Sequence, residues 1–290
     1  MRDIDLLTLS KLAISAAELA GEFIENSRGE HLKVETKCGG STLASQVVTE
    51  VDLQSQKIIL DILTPSCEDY DIAMLAEEDI DSKLRLVKDF FWCVDPLDGT
   101  LPFIEGSSGY SVSIALVSKL GEPLIGVIYD PNTSTLYHAV KGEGAYRNNQ
   151  QWILPQPKMD NPLTLVCDRS FIQHRFYSTT IDTLNSIAST LGYNSVEIIK
   201  HGGAAMNACW VLENTPACYI KYPKLADGGG SLWDYAASAC LFNEIGATAT
   251  DIHGNALLLN NSESTFMNKR GVLYASCTEL HKLLLASLKV

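Results

Sequence analysis

Apolar side chains recur at helical spacing in two segments near the start of the chain. The first covers residues 3–27 and carries charged residues inside its apolar pattern, which is typical of an amphipathic helix and not of a secretion signal. The second covers residues 50–64 and ends before Pro65, because proline removes a helical hydrogen bond. Residues 36–46, between them, are rich in Gly, Ser and Thr and predict a loop.

The apolar runs that follow are too short for helices. Residues 73–79 predict a short buried strand that runs into acidic residues. Residues 90–94 predict a second strand that stops at the Asp-Pro pair after it. Residues 110–149 alternate β-branched or aromatic runs with Gly and Asp-Pro turn signals, and this pattern predicts a meander of strands.

Residues 151–162 contain three prolines and are the best candidate for a domain boundary. Strand and helix patterns alternate beyond this segment, which argues for an α/β second half. A glycine-rich loop, residues 227–230, precedes the last long helix. The predicted strands are 163–167, 195–200 and 218–222, and the predicted helices are 175–191, 203–213 and one from Leu232 to Gly246.

The chain has 290 residues, with 22 Lys and Arg against 35 Asp and Glu, so its formal net charge is −13. This acidic excess argues against a nucleic-acid polymer as partner, since phosphate backbones need a basic surface. A small phosphorylated substrate remains compatible, because a divalent metal can supply positive charge locally. No apolar run is long enough for a transmembrane helix, so no membrane partner is expected. The eight scattered cysteines predict reduced thiols in a cytoplasmic protein.

Acidic residues gather at the ends of three apolar runs. One carboxylate at the end of a strand or helix is ordinary, because it is solvated there or favoured by the helix dipole. Three separate termini with carboxylates indicate a shared metal site. The three clusters are Glu77-Glu78-Asp79, Asp95-Pro96-Leu97-Asp98-Gly99-Thr100 and Trp233-Asp234.

The second cluster has the residues of a tight turn with metal-ligand chemistry. Pro96 removes a backbone donor and Gly99 permits a positive φ, so the chain must turn sharply there. Asp95 and Asp98 can then point at one spot, together with the carbonyl of Leu97. Hard oxygen ligands gathered in this way suit Mg²⁺. The alternative is that the Asp-Pro and Asp-Gly pairs only form turns.

The clusters resemble the signature motifs of the inositol monophosphatase superfamily of Mg²⁺-dependent, lithium-sensitive phosphatases. LAEED, DPLDGT and LWDYAAS are similar to those motifs in residues, order and separation. VVTEVD, LIGVIYDPNTSTLYHAVKGEGAYRNNQ and GGAAMNACWVL resemble other family segments, so the likeness covers nearly the whole chain. The resemblance implies an α+β and α/β fold, a layered αβαβα sandwich. An N-terminal α+β domain would span residues 1–155 and a C-terminal α/β substrate-binding domain residues 156–290, with the active site between them.

The resemblance also implies the metal site. Two or three Mg²⁺ ions would be bound, as in two-metal phosphatase sites. Glu78 would be a neighbour of the site and not a ligand. The metal ligands would be Glu77, Asp95, the carbonyl of Leu97, Asp98 and Asp234.

Catalytic roles follow from the same resemblance. Thr100, hydrogen-bonded to Asp52, would help to activate the attacking water, with Glu77 as the third catalytic residue. The backbone amides of Gly99 and Thr100 would contact the phosphate. No covalent enzyme intermediate is needed for this reaction.

The segments that resemble substrate-binding regions point in two directions. CDRSF, with Arg169, resembles the bisphosphate nucleotidases, and YIKYPK, with Lys221 and Lys224, suggests a site for a second phosphate. GGAAMN is nearer to the inositol monophosphatases. The implied substrate-binding residues are Gly99, Thr100, Arg169, Gly203, Ala204, Lys221, Lys224 and Asp234.

The expected reaction is removal of the 3′-phosphate from adenosine 3′,5′-bisphosphate. The alternatives are an inositol monophosphatase, a phosphatase of inositol or sugar polyphosphates, and a catalytically idle relative that only binds. The expected partner is a small phosphorylated substrate, and a homodimer is compatible with the resemblance. The glycine-rich loop before Asp234 is longer than usual in both phosphatase groups, and its role stays open.

Overall fold

The computed structural model describes residues 4–29, 34–36, 47–158 and 160–288. Two short 3₁₀ segments, Leu84–Leu86 and Arg169–Gln173, occur beside the longer helices of the described residues. The helices are α1 (Leu6–Asn26), α2 (Glu50–Asp69), α3 (Thr100–Ile104), α4 (Tyr177–Leu191), α5 (Ala204–Glu213), α6 (Leu232–Ile245) and α7 (Thr278–Ser287).

The strands form two large sheets and one small antiparallel ladder. In the larger sheet only the first pair of strands is parallel, whereas in the smaller sheet β10 is parallel to both of its neighbours. The ladder pairs β1 (Val34–Thr36) with β2 (Val47–Thr49). The seven-stranded sheet has the order β3 (Ala73–Ala76), β4 (Phe90–Asp98), β5 (Ser111–Ser118), β6 (Pro123–Asp130), β7 (Thr135–Val140), β8 (Gly144–Arg147) and β9 (Gln150–Gln151). The five-stranded sheet has the order β11 (Val196–Ile199), β10 (Leu163–Val166), β12 (Ala217–Lys221), β14 (Val272–Ala275) and β13 (Thr248–Thr250).

Neighbouring residues of a strand point to opposite faces of its sheet and pack in different hydrophobic cores. Both sheets are therefore covered on both faces. Phe91 of β4 packs in the core that includes α5 and α6, whereas Trp92 packs in the core that includes α1 and α2. Tyr219 of β12 joins the core of α5 and α6, whereas Cys218 joins that of α4 and α7. The layers are therefore α1 with α2, the larger sheet, α5 with α6, the smaller sheet, and α4 with α7. This arrangement confirms the αβαβα sandwich.

Most predicted elements are present, but α2 is longer than its sequence pattern indicates. It continues through Pro65 to Asp69. Its last turn has partners outside the helix, because the indole of Trp92 donates to the hydroxyl of Ser66 at 2.9 Å, and that hydroxyl donates to the carbonyl of Leu63. These tertiary contacts outweigh the hydrogen bond that proline removes. Residues 37–46, the greater part of the predicted loop, lie outside the described residues.

Strand β4 also extends beyond its predicted end. It runs through the Asp-Pro pair to Asp98, because Pro96 falls where the pairing with β5 is irregular. Asp95 lies opposite Ser113 and Asp98 lies opposite Ser111, so the step is three residues on β4 and two on β5. In a regular strand, side chains three apart point to opposite faces, and an extra residue in a bulge changes this alternation. The bulge therefore allows both aspartates to face one site.

The C-terminal part of the chain contains elements that the sequence pattern did not predict, namely β13, β14 and α7. A shared core runs through both predicted domains, since it includes Phe91 and Tyr274. Seven cysteines lie among the described residues, and all seven are free thiols, while Cys38 lies outside that part of the chain. Among the helices of the described residues, none has both the length and the apolar character needed to cross a membrane.

Gly126 of β6 brings α6 directly against the larger sheet. A Cβ atom at this position would lie 2.3 Å from the carbonyl oxygen of Ala237 and 2.8 Å from the Cβ of Cys240. We expect Gly126→Ala to lower the free energy of unfolding by about 1–3 kcal/mol, because overpacking forces the helix outward. Thermal melting would measure this loss. Because α6 carries Asp234 at its start, Mg²⁺ should also raise the Tm of the variant by less than that of the wild type. If the metal-free variant melts at the same temperature as the wild type, α6 does not pack directly against Gly126.

Candidate active site

Carboxylates from one strand and one helix converge between the two larger sheets. Asp95 and Asp98 lie at the end of β4, and Asp234 lies in the first turn of α6. One ligand oxygen of each lies within 4.8 Å of the others. Asp95 and Asp98 are buried, with 2% and 4% of their surface exposed. Two of the three acidic termini that the sequence singles out, those with Asp98 and with Asp234, therefore meet at one place.

Backbone N–H groups hold these carboxylates in position. Asp95 accepts a hydrogen bond from the amide of Leu97 at 3.1 Å. Asp98 accepts from the amides of Ala204 and Ala205, at 3.0 and 2.8 Å, and so caps the start of α5. Asp234 accepts from the amide of Ser231 at 2.6 Å in a capping box. Helix N-termini favour negative charge, so both helices orient and stabilise the carboxylates.

Among the described residues, the carboxylates of the cluster repel one another more than nearby cations neutralise them. Burial, followed by the charges of Glu77, Asp98 and Asp234, raises the pKa of Asp95 well above its ordinary value. Burial and the charge of Asp234 raise the pKa of Asp98 to about 8, although the amides of α5 oppose this. Burial raises the pKa of Asp234 to about 6, and Lys221 opposes that increase. Buried hard oxygen donors that repel one another are the donor set that a divalent cation fits.

The adjacent glutamates differ in position. Glu77 lines the cavity at the end of β3, and its amide donates to the carbonyl of Val94 at 3.1 Å. Its side chain also interacts with Asp95, since it contributes to the raised pKa of that carboxyl. Glu78 places its amide on the side-chain oxygen of Gln56 at 3.0 Å and is absent from the described residues that line the cavity. Glu77 thus lines the cavity, but the converging carboxylate oxygens are those of Asp95, Asp98 and Asp234, and the roles of Glu77 as ligand and Glu78 as neighbour stay predictions.

Thr100 and Asp52 form the predicted hydrogen bond. The Thr100 hydroxyl lies 3.0 Å from Oδ1 of Asp52 and 3.2 Å from the carbonyl oxygen of Leu97. Both neighbours are acceptors, so the single hydroxyl proton is directed to one of them and the oxygen can accept a hydrogen bond from water. Asp52 is buried, and its other oxygen accepts from the amide and hydroxyl of Thr49, at 2.8 and 2.5 Å. Burial raises the pKa of Asp52, and the bonds from Thr49 oppose this.

Glycines allow the segment 201–204 to approach the end of β4. Gly99 has φ +85°, and a Cβ there would lie 2.7 Å from the carbonyl oxygen of Gly109. A Cβ at Gly203 would lie 2.5 Å from both carboxylate oxygens of Asp98. The amide of Gly203 donates to Gly109, and that of Ala204 donates to Asp98. These two amides thus have protein partners, and a substrate-binding role for Gly203 and Ala204 stays a prediction.

The three predicted cationic residues line the same cavity, but carboxylates engage two of them. Arg169 donates two hydrogen bonds to Glu105, at 2.7 and 2.6 Å. Lys221 forms an ion pair with Asp168 at 2.7 Å. Burial alone would lower the pKa of Lys221, and the nearby Asp168, Tyr235 and Asp234 more than reverse this, so its pKa is raised. Sequence reasoning missed both pairings.

The cavity has a volume of about 990 Å³, and one of its walls is aromatic. Phe171, His174 and Tyr222 lie on this wall with nearly parallel rings, and Tyr222 is 5.9 Å from Phe171 and 5.4 Å from His174 between ring centroids. Burial lowers the pKa of His174, followed by the charge of Arg175. Sequence reasoning did not find this wall, because Phe171 and His174 meet Tyr222 only in the folded chain.

Comparison with known proteins agrees with this geometry. The family model described as "Inositol monophosphatase family" matches residues 5–289. The inositol-1-monophosphatase of Bacillus subtilis is 30% identical over 91% of this chain and 89% of its own length. The 3′(2′),5′-bisphosphate nucleotidase CysQ of Salmonella typhimurium is 31% identical over 76% of this chain and 82% of its own. The crystal structure of the extragenic suppressor protein suhB from Bartonella henselae has a TM-score of 0.72, covers 97% of this chain and 98% of its own, and shares 22% identity, so it supports the fold. The chain therefore belongs to the inositol monophosphatase family of phosphoric monoester hydrolases.

Proposed function

We propose that this chain is a Mg²⁺-dependent phosphatase that removes the 3′-phosphate of adenosine 3′,5′-bisphosphate. The observation that carries the proposal is the make-up of one cavity, which joins the buried carboxylate cluster to two lysines and an aromatic wall. A volume of about 990 Å³ suits a nucleotide, since pockets for small ligands measure roughly 300–1,000 Å³. CysQ, the similar protein of Salmonella typhimurium, is by name a 3′(2′),5′-bisphosphate nucleotidase.

The carboxylate cluster has the donor chemistry for Mg²⁺, and we expect two or three ions to bind there. Asp95, Asp98, Asp234, Glu77 and the carbonyl of Leu97 would hold them, and their hard oxygens are the donors that Mg²⁺ prefers. When bound, Mg²⁺ would neutralise charge on the phosphate oxygens and make water more acidic. Deep burial of Asp95 and Asp98 excludes competing water and strengthens each electrostatic interaction.

Thr100 and Asp52 would handle the proton of the attacking water. The Thr100 oxygen would take that proton while the Thr100 hydroxyl passes its own proton to Oδ1 of Asp52, so the carboxylate of Asp52 is the final acceptor. Gly99 and Thr100 line the cavity at the start of α3, where the first backbone N–H groups lack helical partners and can donate to phosphate. Water attacks phosphorus as the bond to the 3′-oxygen breaks, so the products are adenosine 5′-phosphate and inorganic phosphate.

The nucleotide would use the remaining parts of the cavity. Its 5′-phosphate would lie near Lys221 and Lys224, which can donate charge-assisted hydrogen bonds. Its base would stack on the wall of Phe171, His174 and Tyr222, because aromatic rings prefer offset stacking. The lowered pKa of His174 keeps its ring neutral near pH 7, which suits contact with an uncharged base.

Inositol monophosphate is the second candidate, and the Asp168 cluster favours it. Asp168 accepts from the hydroxyl of Tyr219 at 2.7 Å and from the amide of Asn207 at 3.3 Å, and it pairs with Lys221. A carboxylate with polar neighbours at a cavity wall can bind the hydroxyls of a polyol. Asp168 also offsets part of the positive charge that a second phosphate would need.

A substrate panel with a lysine variant separates the two candidates. We expect Lys221→Gln combined with Lys224→Gln to raise the KM for adenosine 3′,5′-bisphosphate at least about tenfold, or about 1.4 kcal/mol. The KM for inositol 1-phosphate should change little, because that substrate has no second phosphate. Steady-state phosphate release with Mg²⁺ measures both. Lys57→Gln is the control, since Lys57 is exposed on α2 in a pair with Asp61. Equal losses on both substrates, or faster wild-type turnover of inositol 1-phosphate, would favour the second candidate.

A further inference from the structure

Residues 223–231, which we call the glycine loop, join β12 to α6 along the wall of the active-site cavity. Three consecutive glycines in it have positive φ: +100° at Gly228, +81° at Gly229 and +105° at Gly230. Residues with a side chain rarely adopt this conformation, and three in succession are accessible only to glycine. The three glycines therefore permit this path, and the hydrogen bonds described next fix it.

Asn268 fastens the first half of the glycine loop. Its backbone carbonyl accepts from the amide of Lys224 at 2.9 Å. Its side-chain amide donates to the carbonyls of Lys224 and Ala226, at 3.2 and 2.9 Å. Asn268 is only 4% exposed, so these bonds are shielded from water. One buried side chain thus fixes the backbone on both sides of the exposed Leu225.

The second half of the loop is fastened from α6 and from the segment that precedes β14. The hydroxyl of Tyr235 donates to the carbonyl of Gly229 at 3.0 Å. The amide of Met267 donates to the carbonyl of Gly230 at 2.9 Å. With both halves bonded to buried residues, the loop is preorganised and needs little ordering when a ligand binds.

The missing side chain at Gly229 makes room for Lys224. A Cβ at Gly229 would lie 2.8 Å from Cε and 3.1 Å from Nζ of Lys224. The lysine therefore runs along the loop with its ammonium group against Gly229, in the same cavity that Asp234 lines. Burial and the charge of Lys221 lower the pKa of Lys224, so the two ammonium groups are near enough to repel each other. An anionic ligand group between them would relieve this repulsion.

We propose that the glycine loop is a preformed specificity element in which Gly229 and Asn268 hold Lys224 ready to bind the second phosphate of the substrate. The proposal rests on the proposed function, in that the carboxylate cluster must be the site that cleaves the first phosphate. Lys224 would contact the substrate. Asn268 is a positioning residue, because it acts on the substrate only through the loop.

Gly229→Ala tests the proposal without replacing Lys224 itself. The added methyl group meets the end of a flexible side chain, so the lysine should move, and the backbone strain that alanine adds at φ +81° is matched in the control variant. We expect the KM for adenosine 3′,5′-bisphosphate to rise about tenfold, with kcat within about twofold of wild type. The KM for adenosine 3′-phosphate, which lacks the second phosphate, should not change.

Gly142→Ala is the matched control. Gly142 has φ +82°, close to that of Gly229, but no atom lies within 4 Å of its added Cβ. It therefore adds the same backbone strain without displacing a lysine. Asn268→Ala is the second variant, and it should give the same selective rise in KM because the loop loses its side-chain anchor. Thermal melting confirms that each variant is folded.

The outcomes distinguish failure of the glycine loop's role from failure of the proposed function. An equal rise in KM for both nucleotides, or no rise for either, would overturn the role of the glycine loop. Failure of the wild type to cleave either nucleotide with Mg²⁺ would overturn the proposed function. In that case the loop's role is tested by calorimetric binding of the same two nucleotides. The role is supported if the wild type prefers the bisphosphate, Gly229→Ala loses that preference and Gly142→Ala keeps it. The role is rejected if there is no such preference.

Discussion

Asp95→Asn should reduce Mg²⁺-dependent phosphate release by about a thousandfold, equivalent to about 4 kcal/mol of transition-state stabilisation. The substitution keeps an oxygen to accept from the amide of Leu97 and removes one negative charge from the buried cluster. For the same reason the metal-free variant should be more stable than the wild type, because Glu77, Asp98 and Asp234 then repel one carboxylate fewer. Phosphate release and thermal melting in a chelator measure the two effects.

Asp98→Asn is the informative comparison. Both oxygens of Asp98 accept from amides at the start of α5, and asparagine offers only one such oxygen. Activity should fall as far as in Asp95→Asn, whereas the metal-free protein should gain little or no stability, since a cap of α5 is lost. Near-normal turnover of either variant at saturating Mg²⁺ would remove the cluster from the mechanism.

The same cluster gives metal-free stability a definite pH dependence. The folded-state pKa is about 8 for Asp98 and about 6 for Asp234, above the ordinary 3.8. Between the ordinary pKa of 3.8 and these raised values, the folded protein binds more protons than the unfolded chain, so its stability falls as the pH rises. The Tm in a chelator should decrease from pH 5.5 to 8.5, and Mg²⁺ should flatten this decrease. A Tm in chelator that is flat or rises over this interval would contradict the raised pKa values.

The acidic positions of the site could be predicted from sequence because they stand at element ends. Apolar runs identify β3, β4 and α6, and carboxylates directly after or at the start of them must lie at an edge of the sandwich. Their common direction was not predictable from spacing. Asp95 and Asp98 face one site through the bulge in β4, and a bulge depends on pairing with β5, which the residues of β4 do not encode by themselves.

The cationic residues show where sequence reasoning reached its limit. Arg169 and Lys221 were expected to be available to a phosphate, yet each has a carboxylate partner in the structure. Glu105 is 64 residues from Arg169 along the chain, and only the approach of α3 to the second half of the sandwich brings them together. A local sequence pattern shows neither the approach of α3 nor whether a cationic side chain pairs with a carboxylate of the protein or remains available to a phosphate. The unpredicted β14 pairs with β12 in the smaller sheet, and a local sequence pattern does not show a pairing between two segments that are far apart in the chain.

Thr100→Ala should lower kcat by about 10²-fold or more and leave KM nearly unchanged, because positioning a proton acceptor matters most in the transition state. The hydroxyl of Thr100 donates to Asp52 at 3.0 Å, so it can pass its own proton to that carboxylate while its oxygen takes the proton of water. Thr100→Ser keeps that hydroxyl and should recover most of the activity. A loss confined to KM, or a serine variant as slow as the alanine variant, would show that the hydroxyl has no part in activating water.

Asp52→Asn tests the same step from the other side of the hydrogen bond. Asp52 accepts from Thr100 through one oxygen and from the amide and hydroxyl of Thr49 through the other. Asparagine must turn its NH₂ group toward one of them. Facing Thr100, the amide would donate to the hydroxyl oxygen and occupy the lone pair that water needs, so kcat should fall about as far as in Thr100→Ala. Facing Thr49, it would break the capping box of α2 at a cost of about 0.5–2 kcal/mol. Measured together, kcat and Tm tell these orientations apart, and a variant that keeps both at wild-type values would show that Asp52 does not orient Thr100.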